Sequence, residues 1–222
     1  MPDKSLREAT IAYVAPFLAY ILMFAVPLRP ELLHPIRFVI VLAVILIFSR
    51  KYLSLKPSHS LGSIGVGIAV FLVWIAPDLL IPGYRHFWLF ENALLGKVSS
   101  SLSPDLRHDY FFLTIRVLSS VALVPILEEL FWRGWLMRWL INNRDFLKVP
   151  LGAYQAAAFW IVALLFASEH GVYWEVGLAA GIVYNWWIVR TKNLADCILA
   201  HAITNGILAA YVLISGQWQY WL

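Results

Sequence analysis

Charge is scarce in this sequence and cysteine is scarcer. Only 14% of the 222 residues are Asp, Glu, Lys or Arg, while 61% are hydrophobic and the mean hydropathy is +0.74. A soluble domain carries far more charge, so a water-soluble fold is excluded and an integral membrane protein is expected. The lone cysteine, Cys197, excludes an internal disulfide and any Cys-based zinc cluster, and its apolar setting reads as an inert buried thiol. The Lys and Arg residues are scattered and form no basic run with interleaved aromatics, which argues against nucleic acid as a partner. No repeat, low-complexity stretch or composition break divides the chain, so residues 1–222 read as one integral membrane domain. No small-x-small cleavage pattern follows the first apolar run, which therefore reads as an uncleaved span.

Long apolar runs are what the sequence has in abundance. Crossing roughly 30 Å of hydrocarbon takes about 17 to 25 residues. Runs near that length fall at about 10–27, 35–49, 61–82, 108–131, 152–169, 174–189 and 194–214. The expected fold is all-α, a polytopic transmembrane helical bundle of about seven to eight helices. Pro125 interrupts the fourth run, which either ends there or continues, tilted or bent, through "LFWRGWLMRWLI". The longest connection contains an amphipathic "HFWLFENALLGKV" that suits the bilayer interface or a plain surface link. Eleven Trp and ten Tyr match the aromatic belts of a membrane protein.

Counting Lys and Arg on alternate sides gives Lys4, Arg7, Arg50, Lys51, Lys56, Arg138, Arg144, Lys148, Arg190 and Lys192 on one side. Arg29, Arg37, Arg85, Lys97 and Arg107 fall on the other. The positive-inside rule then puts the N-terminus in the cytoplasm and, with seven spans, the C-terminus outside.

Against this background the ionisable residues inside spans stand out, because each is costly in hydrocarbon and needs a partner, a cavity or a function. They gather at three places. In "EELFWR", Glu129 and Arg133 are four residues apart and stack on one helix face, whereas Glu128 points about 100° away with no cation at i+4. A structural ion pair is the expectation for Glu129 and Arg133, and chemistry is the expectation for Glu128. "FASEH" ends an apolar helix on His170. "HAITN" puts His201 and Asn205 on one face, one turn apart. Alone, a helix-end histidine or a His/Asn clamp is ordinary. Together, a carboxylate without a nearby cation, two imidazoles and an amide are the parts of a hydrolytic site.

These three motifs, EExxxR, FxxxH and HxxxN in that order on successive helices, resemble the CPBP family of CAAX-protease-like membrane proteins, also called the Abi family. The resemblance covers about 108–214, the motif-bearing half, while the first 107 residues match only as generic membrane helices. It implies an intramembrane endopeptidase in which Glu128 and His170 activate water, His201 and Asn205 stabilise the oxyanion, and Glu129 and Arg133 support them. It leaves a metal open: Glu128, His170 and His201 equal a zinc ligand set with one free position, although no HExxH is present.

It further implies a peptide or protein substrate at the bilayer, either lipid-modified or plain, a bacterial inner-membrane location, and a link to exosortase and PEP-CTERM sorting. Two other readings stay open: a non-catalytic scaffold or bacteriocin-immunity protein, and an ion or proton transporter using the same Glu and His residues. Seven straight spans leave one conflict. They put Glu128 and His201 toward one membrane face and His170 toward the other, so a tilted fourth helix and a fifth that stops short of crossing are expected.

Overall fold

The computed structural model describes residues 4–100 and 102–221. It is built from α-helices, and among the described residues there is no strand, only an isolated bridge between Asn92 and Gly96. The long helices are α1 (Lys4–Leu22), α2 (Pro30–Val44, extended by a π turn to Ser49), α3 (Ser60–Leu80), α4 (Tyr110–Ile141), α5 (Ala156–Ser168), α6 (Trp174–Thr191) and α7 (Leu194–Ser215). These are the seven apolar runs of the sequence with their ends adjusted. Among the described residues, five segments are long and apolar enough to cross a membrane: Lys4–Ala25, Pro30–Ser49, Ser60–Leu80, Tyr110–Ile141 and Leu194–Ser215.

Capping fixes several boundaries. Asp109 accepts from the Phe112 amide to start α4, Gln155 accepts from the Ala158 amide to start α5, and Asn193 accepts from the Ala195 amide to start α7. Helix α2 opens on Pro30, whose missing N–H costs nothing at a first helical position.

Helix α4 is the most unusual element. It runs 32 residues without a break, but π turns occupy Ser119–Leu123 and Leu130–Leu136. Such turns are rare and concentrate at functional positions. Of the two courses open for the fourth span, the helix takes continuation through "LFWRGWLMRWLI". Pro125 follows the first π turn, where a wider turn accommodates the ring and the absent amide hydrogen. The six α-helical residues between the π turns, Val124–Glu129, end on the two glutamates.

The depth conflict has a simple resolution on the α5 side. At 13 residues α5 is about 20 Å long, well short of the roughly 30 Å hydrocarbon core. His170, just past its end, therefore falls within the bundle and not at the opposite face. "HFWLFENALLGKV" forms no α-helix. It folds as turns, with the Asn92 side chain accepting from the Leu94 and Leu95 amides.

Packing is closest where small residues face each other. Helix α3 lies along α7, and a Cβ added at Gly67 would sit 2.5 Å from the Ala200 carbonyl oxygen. Only glycine permits that approach, which lets Thr204 Oγ1 donate to the Gly67 carbonyl at 2.9 Å. Tyr184 on α6 donates to the same Thr204 hydroxyl at 2.7 Å, so α3, α6 and α7 meet at one polar contact. Helix α5 packs along α6.

Candidate active site

The π-interrupted α4 carries the two glutamates to the middle of the bundle. Glu129 and Arg133 are both fully buried, and Arg133 Nη1 donates to Glu129 Oε1 at 2.9 Å. The guanidinium is held further by Asn185 Oδ1 at 2.9 Å and the Gly181 carbonyl at 3.4 Å, both on α6. Asn185 is itself anchored, donating to the Phe159 carbonyl on α5 at 2.8 Å. The Arg133 guanidinium lies 4.6 Å from the Phe166 ring centre. A charge this deep is tolerable because each of the three guanidinium nitrogens has an acceptor.

His201 makes a contact that helix spacing within α4 could not foretell. Its Nδ1 lies 3.0 Å from Glu129 Oε1, the oxygen already shared with Arg133. A carboxylate accepts, so Nδ1 carries the proton and Nε2 is the free end of the ring. Tyr184 stacks on the imidazole at 5.1 Å and 24°. Glu129 thus orients one motif histidine as well as balancing Arg133.

His170 is fixed by the same logic with a different partner. Its Nδ1 sits 2.8 Å from the Phe166 carbonyl, so this nitrogen donates and Nε2 holds a lone pair in the neutral ring. Trp74 of α3 meets the ring edge-on at 5.1 Å, and Phe166 lies at 4.8 Å. Gly177 makes room for it: a Cβ there would be 2.9 Å from His170 Nδ1.

Asn205 donates from Nδ2 to the Ser120 carbonyl at 2.8 Å, within the first π turn of α4. One of its two amide hydrogens is used and the other is not committed by this bond. The turn that accommodates Pro125 therefore also seats Asn205.

Glu128 differs from all of these. Its Oε2 is buried with no hydrogen-bond partner among the described residues. Glu129 Oε2 and Trp132 Nε1 are in the same condition, so polar atoms without partners cluster along one stretch of α4. The carboxyl lies within electrostatic range of Glu169, Glu129 and Arg133.

Sequence reasoning passed over Phe166 itself, Glu169, Trp74, Gly177 and Tyr184. Phe166 is the hub, with its ring 4.8 Å from His170, 6.2 Å from His201 and 4.6 Å from Arg133. Its place at the head of FxxxH was the available signal. The zinc option fares differently: among the described residues no three His, Cys, Asp or Glu side chains converge to hold a metal ion. Glu128, His170 and His201 do not form such a group.

Residues 110–207 match the family model of the Rce1-like type II CAAX prenyl endopeptidases. Over that segment, somewhat under half of its length, the chain is similar to that family. The matched residues contain all three motifs, Glu128 to Asn205, and both π turns of α4. No curated protein and no solved structure shows significant similarity. The match is to a peptidase family, and the apolar helices of the chain make it an integral membrane protein.

Proposed function

We propose that the protein is an intramembrane endopeptidase that hydrolyses a peptide bond of a membrane-borne peptide or protein substrate by water activated at Glu128 and His170. The observation that carries this is the contrast at α4: Glu129 is committed through Oε1 to Arg133 and His201, whereas Glu128 enters no ion pair among the described residues and keeps a buried oxygen without a partner. Such an oxygen is costly to bury unless its task is to accept a proton. His170 supports it with an Nε2 lone pair set by the Phe166 carbonyl.

In the first step Glu128, aided by His170 Nε2, takes a proton from water as the hydroxide equivalent adds to the substrate carbonyl carbon. Negative charge moves to the carbonyl oxygen. The second hydrogen of Asn205 Nδ2 is one donor to it. His201 is the other, for which its Nε2 must also carry a proton, with Glu129 as counter-charge. The stored proton then passes to the leaving nitrogen as the C–N bond breaks, giving a carboxylic acid and an amine.

The Lys and Arg distribution supports a cytoplasmic N-terminus in a bacterial inner membrane. The test uses detergent-purified protein and a peptide library, comparing wild type with Glu128→Gln and His170→Ala, with and without chelator. Equal turnover in Glu128→Gln, with folding intact, sinks the mechanism and favours the scaffold reading.

A further inference from the structure

Arg85 follows α3 in a short 3-10 turn, Tyr84–His86, within the half of the chain that carries none of the three motifs. Although it belongs to a connection, it is only 6% exposed. Its guanidinium joins three elements. Nε donates to Asp78 Oδ1 of α3 at 2.8 Å, and Nη1 donates to the Val172 carbonyl at 2.9 Å. Nη1 also lies 2.5 Å from Glu175 Oε1, in the first turn of α6. The Tyr173 ring centre is 4.2 Å from the guanidinium. Nη2 has no hydrogen-bond partner among the described residues, so Nε and Nη1 make the clamp. A planar fork reaches several acceptors at once in fixed directions, which a lysine ammonium does not.

We propose that Arg85 is a positioning residue of the candidate active site, acting on His170 through the turn Gly171–Tyr173. The inference rests on the role given to His170 above. His170 lies two residues past the end of α5, so no helix repeat sets its backbone. The chain turns at Gly171, whose φ of 51° suits glycine, and the Tyr173 amide donates back to the His170 carbonyl at 2.9 Å. Val172, whose carbonyl Arg85 grips, is the centre of that turn. The walls of the imidazole come from the two helices that Arg85 ties together. Trp74, one turn before Asp78 on α3, meets the ring at 5.1 Å, and Gly177, two residues after Glu175 on α6, backs it. Trp74 also stacks on Tyr173 at 6.3 Å and 22°. Releasing the guanidinium therefore loosens α3, the turn and α6 from one another where they enclose His170. The bond from Nδ1 to the Phe166 carbonyl is then the polar contact left to hold the ring.

The experiment compares the full chain as wild type, Arg85→Met and Arg85→Lys by NMR of nitrogen-15-labelled histidine and by steady-state kinetics on a cleaved peptide. The His170 signal is assigned by its loss in His170→Ala. Wild type shows His170 as one tautomer, Nδ1 protonated and Nε2 bare. In folded Arg85→Met that signal divides between tautomers, and kcat falls about 10- to 100-fold at nearly constant KM. Arg85→Lys, with the charge but not the fork, falls between the two. If Arg85→Met does not fold, the triple variant Asp78→Leu, Arg85→Met and Glu175→Met removes all three charges together and keeps the fold, and its His170 signal still divides. An unaltered His170 signal in a folded variant overturns the proposal, and so does an unaltered kcat. A lower unfolding midpoint with both unaltered makes Arg85 purely structural and overturns it too. The NMR measurement needs no turnover. Wild type that cleaves no peptide defeats the hydrolase reading, whereas an unaltered His170 signal beside an active wild type defeats this inference alone.

Discussion

Glu128 and Glu129 are neighbours in one helix, identical in chemistry, and opposite in circumstance. Glu129 is held through Oε1 by Arg133 at 2.9 Å and His201 at 3.0 Å, with Asn185 and Gly181 of α6 holding Arg133 behind it, and only its Oε2 lacks a partner. Glu128 turns about 100° around the helix and keeps a buried oxygen without a protein partner. The difference teaches that a charged pair in a membrane helix need not share one role. One residue makes the local charge tolerable, and the other is then free for chemistry.

Replacing Glu128 by Gln breaks the comparison from the reactive side and is expected to have the largest effect. Turnover should fall by about 10³ to 10⁴ because a general base is lost while shape is kept. The unfolding midpoint should stay near that of wild type, since no ion pair is removed. A comparable loss of stability would mean that Glu128 is structural like its neighbour.

Replacing Glu129 by Ala breaks it from the other side. Arg133 would remain buried without its carboxylate, which costs about 3 to 5 kcal/mol. Denaturant unfolding checks this directly. The double variant Glu129→Leu with Arg133→Met removes both charges and should regain most of the lost stability. It should not regain activity, because His201 would still lack the carboxylate that holds its Nδ1. Full activity in the double variant would show that orienting His201 is not part of the task of Glu129.

The fold was largely legible because hydropathy and length specify membrane helices strongly, and the seven apolar runs reappear as α1 to α7. The i, i+4 spacing likewise foretold the Glu129–Arg133 pair. What stayed hidden lies between helices. The His201–Glu129 contact joins residues 72 apart in sequence, and no periodicity within α4 or α7 carries that information. Trp74 comes from α3, in the half of the chain that read as generic membrane helix, yet it packs on His170. The π turns escaped notice because they leave hydropathy unchanged and alter only how the face of α4 is divided.

Asn205→Ala sharpens the contrast at the next level of effect. Removing one oxyanion donor should lower turnover by about 10² to 10³ with substrate binding little changed. Because Asn205 Nδ2 also bonds the Ser120 carbonyl, stability should fall by about 1 kcal/mol. Steady-state kinetics separates the two: a drop in kcat at constant KM marks a transition-state role, and a rise in KM alone marks a role only in seating α7 against α4.

The smallest and most discriminating change is Gly177→Ala. The new methyl would meet His170 Nδ1 at 2.9 Å, so the ring must move or the helix must yield. Overpacking of this kind costs about 1 to 3 kcal/mol. The three atoms nearest to that methyl all belong to His170, so the paired half of the site should persist. Displacing His170 by a few tenths of an ångström to 1 Å should reduce turnover by up to about 10². If activity survives Gly177→Ala while Glu128→Gln is inactive, Glu128 acts without an exactingly placed His170. The carboxylate lacking a protein partner would then be the sole base, and the contrast with Glu129 would rest on that residue alone.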